Sequence, residues 1–401
     1  MRVLITNMRL ARFSGSEVAA ELVADGLRRA GHEPVVYAPA LGDQAERMRV
    51  RGHIVADRLG AIPFRPDVIH AQHSSPAIMA MAAFPDVPVV HVCHSARFAQ
   101  EAAIIHPQVR RYVAVDELCR QRCLADGAPR DRLSIVHNPV DLERFVQRPP
   151  LPAKPKRALL LTKTKEQRLA VLAACKARGI EVVELGPGVG RVSASIEEEL
   201  PGFDIVFATA RMALEAAAVG CAVVVADGRG MAGMLTSARW PEWRRQNLGA
   251  ALLAHPVTAE GLGAALDDYD PDDARAVSSQ VRTAADLEGY TQEMIALYRL
   301  AVDEGVTASA SELALRNATL LEDWLPTPTD RPWRQLATEK RWIPDWEREL
   351  LSIEARLEAA GEKQRVRLKR HIEALGGEMR ERFDLLAAVA RPAVRGDDDG
   401  G

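Results

Sequence analysis

No apolar run in the 401 residues approaches the ~18 to 20 needed to cross a bilayer as a helix. The richest stretch, Ala216 to Ala226, is short and directly preceded by Glu215, so a membrane-spanning helix is excluded. Cysteine is scarce. Cys93, Cys119, Cys123, Cys175 and Cys221 are odd in number and scattered, which argues against a disulfide framework. Cys119 and Cys123 stand four apart on an expected helix and could share a face, but no second pair completes a zinc site, so they read as plain thiols. An excess of one charge is missing too: 52 Lys and Arg face 55 Asp and Glu, and nothing in the net −3 advertises nucleic acid. The opening MRVLITNMRLARFSG has no apolar segment followed by a small-residue cleavage site, and Val3 to Thr6 reads as a buried strand. A cytoplasmic protein is the expectation.

What is present is 47% hydrophobic and 27% charged, the balance of a globular chain, in a length that suits two cores and something extra. Up to residue 150, short β-branched runs alternate with helical segments, the pattern of a parallel sheet with crossover helices. The expected strands are Val3 to Thr6, Pro34 to Ala38, Val68 to Ala71, Val87 to Val92, Tyr112 to Val115 and Leu133 to Val136. Between the first two, Val18, Leu22 and Leu27 recur at helical spacing over Glu17 to Ala30, and Gly31 supplies the stop. RPPLPAKPK, residues 148–156, packs four prolines and three basic residues into nine positions and reads as an interdomain linker.

A second alternating series follows, with strands at Arg157 to Thr162, Glu181 to Leu185, Asp204 to Ala208 and Ala222 to Ala226. Its helices are expected at Glu166 to Arg178, Ser193 to Leu200, Arg211 to Val219 and Thr258 to Asp267. A helix over Gly289 to Leu300, carrying Tyr290, Met294, Leu297 and Tyr298, either closes the second domain or crosses back to the first. Residues 305–395 differ in kind. Trp324, Trp333, Trp342 and Trp346 crowd a Pro-rich segment, and Glu347 to Ala390 is charged and helical with a near-heptad seam interrupted at Gly361, Gln364 and Gly376-Gly377. That tail reads as a helical hairpin or coiled coil, packed on itself or on a second copy of the chain. Its tryptophans and arginines either dock a membrane surface or partner enzyme, or pack onto a domain.

The candidate chemistry lies at strand ends, because tandem open α/β domains leave a cleft there. Gly15 and Ser16 follow the first strand and open a helix, where backbone N–H groups and the helix dipole can hold a phosphate or a sugar hydroxyl; equally, Gly15 turns the chain and Ser16 caps the helix. His94 ends HVCHSARF at a strand terminus, in competition with His70, His73 and His91. No H-E-x-x-H spacing is present and no metal site is proposed. Lys163 and Lys165 follow LLLT, from which an ammonium can reach a diphosphate, or they are a solvated pair. Gly186 to Arg191 lacks the P-loop lysine and the full dinucleotide fingerprint. In RMALEAAAVGCAVVVADGRG, Gly220 ends a small-residue helix and Asp227-Gly228 turns the chain at the end of the next strand. Glu215, placed by this reading in the first helical turn, can accept two hydrogen bonds from a ribose diol.

Taken in order, SGSEVAAELVADGLRRAGHEPVVYAP, PDVIHAQHSSP, PVVHVCHSA, VAVDELCRQRCLADGAP, VHNPVDLERF and ALEAAAVGCAVVVADGRG resemble glycosyltransferase family 4, over about residues 1–300. The resemblance implies a GT-B fold, in which two Rossmann-like domains (1–150 on the acceptor side, 157–300 on the nucleotide-sugar side) face each other across a cleft, here with a helical extension. It implies retaining, metal-independent transfer from a nucleotide-diphosphate sugar, itself the substrate, with no separate cofactor. The expected acceptor is a cell-surface polysaccharide or glycolipid precursor, with the enzyme cytoplasmic or peripheral at the inner membrane face. The catalytic candidate His94 and the Gly15-Ser16 loop would border sugar and acceptor, Lys163 or Lys165 and Arg211 the diphosphate, and Glu215 the ribose, with Gly228 also on the donor side. One departure stands out: the family's earlier glutamate, eight positions before Glu215, falls at Phe207. A binding or scaffold protein that keeps the fold without turnover is the alternative, and a sugar-nucleotide epimerase the third reading.

Overall fold

The structure is a computed structural model that describes residues 1–324 except 12–14, 162–165, 187–188, 192 and 194. Met1–Asn317 form one compact unit and Ala318–Gly401 a second. The heptad seam and three of the four tail tryptophans lie outside the described residues.

In the first unit, two sheets are laid down in succession. The first is built from β1 (Arg2–Thr6), β2 (Glu33–Tyr37), β3 (Ile54–Ala56), β4 (Val68–Ala71), β5 (Val89–Cys93), β6 (Val109–Ala114) and β7 (Leu133–Ile135), in the order β3-β2-β1-β4-β5-β6-β7, all parallel. Parallel strands must be covered on both faces, which is why β1 and β5 read as near-continuous apolar runs rather than alternations. Between them lie α1 (Gly15–Arg29), α2 (Asp43–Val50), α3 (Ser74–Ala83) and α4 (Glu117–Ala125). Gly31, at φ 78°, turns the chain after α1 as the sequence required.

The second sheet takes β8 (Arg157–Leu161), β9 (Glu181–Leu185), β10 (Ile205–Ala208), β11 (Ala222–Asp227) and β12 (Gly230–Met234), in the order β12-β11-β10-β8-β9. The hairpin strand β12 runs antiparallel to β11 and was not expected from the sequence, nor was the three-residue edge strand β3. Helices α5 (Arg168–Lys176), α6 (Ile196–Glu199), α7 (Ala210–Val219), α8 (Trp240–Arg245), α9 (Ala259–Asp267) and α10 (Pro271–Ala284) accompany it. Gly220, at φ 98°, ends α7, its N–H bonded to the carbonyls of Ala216 and Ala217.

The helix whose direction the sequence left open, α11 (Leu287–Glu304), crosses back and packs on α1, β4, β5 and β6. Tyr298 on α11 is fully buried and its hydroxyl lies 2.7 Å from Nδ1 of His70 on β4. Outgoing and returning chain run side by side, Val140 N–H donating to the carbonyl of Ala285 at 2.7 Å. Arg29 on α1 grips the outgoing segment through both oxygens of Asp141, at 2.9 and 2.7 Å. Helix α12 (Ala310–Trp324) follows. No described helix is long and apolar enough to cross a membrane. All five cysteines are buried and free.

Candidate active site

Each sheet has one point where its strand order reverses, between β1 and β4 in the first and between β8 and β10 in the second. Loops leaving adjacent strands at such a point diverge to opposite faces and open a crevice at the carboxyl ends of the strands. Both crevices line a single cavity of about 710 Å³, with Met8, Gly15 and His73 from the first and Leu161, Thr209 and Arg211 from the second. The segment that follows β7 adds Asn138 and Arg144.

Gly15, Ser16, His94, Arg211 and Glu215 all line this cavity. Gly15 and Ser16 are the first residues of α1, so Ser16 lies inside the helix and not at its cap. Lys163 and Lys165 lie outside the described residues. Gly228 does not reach the lining: it sits in the turn between β11 and β12, and the neighbouring Arg229 lines the cavity instead. Arg229 is held by Asp227, which also receives the Thr209 hydroxyl at 2.9 Å.

Glu215 is only 2% exposed, and it stands in the second turn of α7 and not the first, because the helix begins at Ala210. Its stability there comes from Arg211 one turn earlier, which donates to it directly. Burial pushes its carboxyl above the usual range, against the pull of Arg211 and then Arg144. Arg144 in turn donates to Glu197 at 2.8 Å. Arg211, Arg144 and their two carboxylates thus form a compensated charge group on the cavity wall, one that a ligand's anionic groups can enter by displacing carboxylate contacts.

On the opposite wall, His94 follows β5 directly. Its Nε2 is buried without a hydrogen-bond partner among the described residues, and burial lowers its pKa below the ordinary imidazole value, so the ring is neutral there. His73 also lines the cavity, its backbone at φ 60°, a conformation uncommon for a residue with a Cβ. The other two competing histidines are structural: His70 is locked to Tyr298 and His91 is fully buried inside the first sheet. Sequence reasoning missed Arg144, Thr209, Arg229 and Glu101 as site residues and named His73 only as a competitor of His94. Arg144 lies in VHNPVDLERF, a piece quoted for the resemblance with no role given to its arginine.

Phe207 is fully buried in β10, paired in register with Leu160 of β8 and Val224 of β11. One residue, Thr209, joins β10 to α7.

Residues 13–144 match the model of Glycosyltransferase Family 4. The likeness to that family thus runs from the start of α1 to the segment after β7. That region includes Gly15, Ser16, His73, His94, Glu101 and Arg144, all of them on the cavity wall. No curated protein matches the chain at a significant level. HepE of Anabaena, solved with UDP and glucose, is similar at a TM-score of 0.55 and 14% identity over 73% of this chain and 98% of its own. The same protein solved with UDP-glucose gives 0.51 and 14%, covering 74% and 98%. AviGT4, a glycosyltransferase involved in avilamycin A biosynthesis, gives 0.50 and 16%, covering 75% and 98%. At these identities the likeness shows the fold: two Rossmann-like domains in the GT-B arrangement, continuing beyond the family 4 region through the second sheet.

Proposed function

We propose that this protein is a metal-independent, retaining glycosyltransferase that moves a sugar from a nucleotide diphosphate onto a saccharide or glycolipid precursor of the cell surface. In this reading residues 1–150 serve the acceptor, residues 157–300 the donor, and the protein works in the cytoplasm or peripherally at the inner membrane face. The observation that carries it is one cavity lined by His94 and by the buried, arginine-held Glu215. HepE, which has this fold, was solved with UDP-glucose.

The ribose diol donates to Glu215, and the departing diphosphate is stabilised by Arg211, Arg144, Arg229 and the lysines at 163 and 165, preorganised cations that take the place a metal would fill. The neutral His94 ring presents Nε2 to the donor sugar or the acceptor. Self-association, and docking of the tail to a membrane or partner, belong to the same proposal.

One observation favours a second reading, a binding protein without turnover: the place of the earlier family glutamate is Phe207, inside a sheet. The test is a thermal-shift screen against UDP, GDP, ADP and CMP with their sugar conjugates, beside a Glu215→Ala variant. A ligand that binds only the native state at ~100 times its dissociation constant adds roughly 2.7 kcal/mol. A nucleotide-specific shift lost in the variant, together with sugar transfer or donor hydrolysis, supports the enzyme. A shift without either reaction favours the binding protein, and no shift with any nucleotide overturns both.

A further inference from the structure

Glu101, in the helical turn Ala99–Glu101 after β5, is 3% exposed and lies at the cavity wall with both oxygens committed. Oε2 accepts the backbone N–H of His94 at 2.9 Å. Oε1 lies 3.2 Å from Nε2 of His73. Nδ1 of His73 accepts the N–H of Met8 at 3.1 Å, which places the proton of the neutral ring on Nε2, so His73 donates to Glu101. One relay therefore runs from Met8 through His73 and Glu101 to His94, tying together the loops that leave β1, β4 and β5. Ser74 reinforces it by donating its hydroxyl to the carbonyl of Gln100 at 2.8 Å. His73 holds its positive φ within this relay.

We propose that Glu101 is a positioning residue of the cleft: it locks the His94 loop to the His73 loop and so fixes where the unpartnered Nε2 of His94 meets the sugar. The proposal rests on the transferase reading for its catalytic consequence and on the relay alone for its structural one. A buried carboxylate whose two oxygens receive N–H groups from two strand-end loops is costly unless both donors stay in place, so it holds the loops as firmly as they hold it. Burial works to raise its pKa, but the hydrogen bonds from His73 and from the backbone N–H of His94 outweigh burial and keep it ionised.

The test is Glu101→Gln, which keeps shape but puts an NH2 where one N–H must be accepted. The expected result is a fall in kcat of about 100-fold, the scale of a misplaced catalytic group, with nucleotide affinity by calorimetry within about threefold of wild type. In 15N-edited imidazole spectra, His73 of the wild type shows a proton fixed on Nε2, and in the variant a mixture of tautomers. A kcat unchanged within about threefold, or a loss of nucleotide affinity in proportion to kcat, overturns the proposal. If the variant fails to fold, the wild-type spectrum still decides: a proton on Nδ1 of His73 overturns the relay. Absence of transfer and donor hydrolysis in the wild type overturns the transferase reading instead, and leaves the relay to stand or fall on the His73 spectra.

Discussion

Removing Arg211 should destabilise the protein in a way that depends on pH. In Arg211→Ala, Glu215 stays 98% buried without the cation that donates to it, and breaking a buried pair from one side costs about 3–5 kcal/mol. Arg211 is 16% exposed at the cavity wall, where water can partly replace it, so the low end, ~3 kcal/mol, is expected. For a unit of this size that is a fall in Tm of about 4–5 °C. The native pKa of Glu215 already lies above its ordinary 4.5, so the native state holds a proton over a window in which the unfolded chain has lost it. Stability therefore falls as pH rises through that window, which opens near 4.5 and closes at the raised native value. Losing Arg211 removes the largest opposing influence and extends the window upward.

Differential scanning calorimetry of the nucleotide-free protein at pH 8 and pH 5.5 checks this. The deficit of the variant against wild type should be largest at pH 8 and smaller at pH 5.5, because each proton taken up by Glu215 removes the uncompensated charge. The double variant Arg211→Ala/Glu215→Gln should recover more than half of the loss at pH 8. A deficit equal at both pH values, or no recovery in the double variant, would show that Arg211 acts through packing and not through the buried carboxylate, and would refute the reasoning.

Tyr298→Phe leaves Nδ1 of fully buried His70 without its partner and should lower unfolding stability by about 1–3 kcal/mol, read as a lower urea midpoint at unchanged m-value. In Gly26→Ala the new Cβ would stand 2.1 Å from Oγ1 of Thr291, where α1 packs on α11, at a cost of about 1–3 kcal/mol by thermal unfolding; adding Thr291→Ala should return most of it. Phe207→Glu should give insoluble or unfolded protein and no gain in transfer, because it buries a charge between Leu160 and Val224; a folded variant with raised activity contradicts the placement of that strand.

The parallel strands were legible because burial on both faces writes them as continuous apolar runs such as RVLIT and AVVVAD, which no exposed element shares. Strand β12 was not. GMAGM contains two glycines and no β-branched residue, and it is a strand only because β11 offers it a ladder after the Asp227-Gly228 turn. Helix α10 was missed although its signal was present: Asp270 caps it through the N–H groups of Asp272 and Asp273, and Pro271 opens its first turn. In the site, Arg211 and Glu215 could be read together because helical spacing puts residues four apart on one face. His73 and Glu101 could not, since their contact is made by the order of strands β4 and β5 and has no period in the sequence.

The same distinction explains Phe207. Counting eight residues back from Glu215 assumes that the segment between strand and helix has a fixed length, and here that segment is Thr209 alone. The count therefore lands inside β10, on a side chain whose neighbours are core residues of the sheet. The tight join is also visible in Ala210, which takes φ 54° to start α7 immediately after Thr209. What is missing is thus the stretch of backbone that would carry a carboxylate, and a substitution within the strand cannot restore it. The nearby strand-end carboxylate, Asp227, holds Thr209 and Arg229 and so fixes a hydroxyl and a guanidinium at the cavity wall. If this chain grips a donor sugar from its second domain, it does so there with the Arg229 guanidinium, the Thr209 hydroxyl having already given its proton to Asp227.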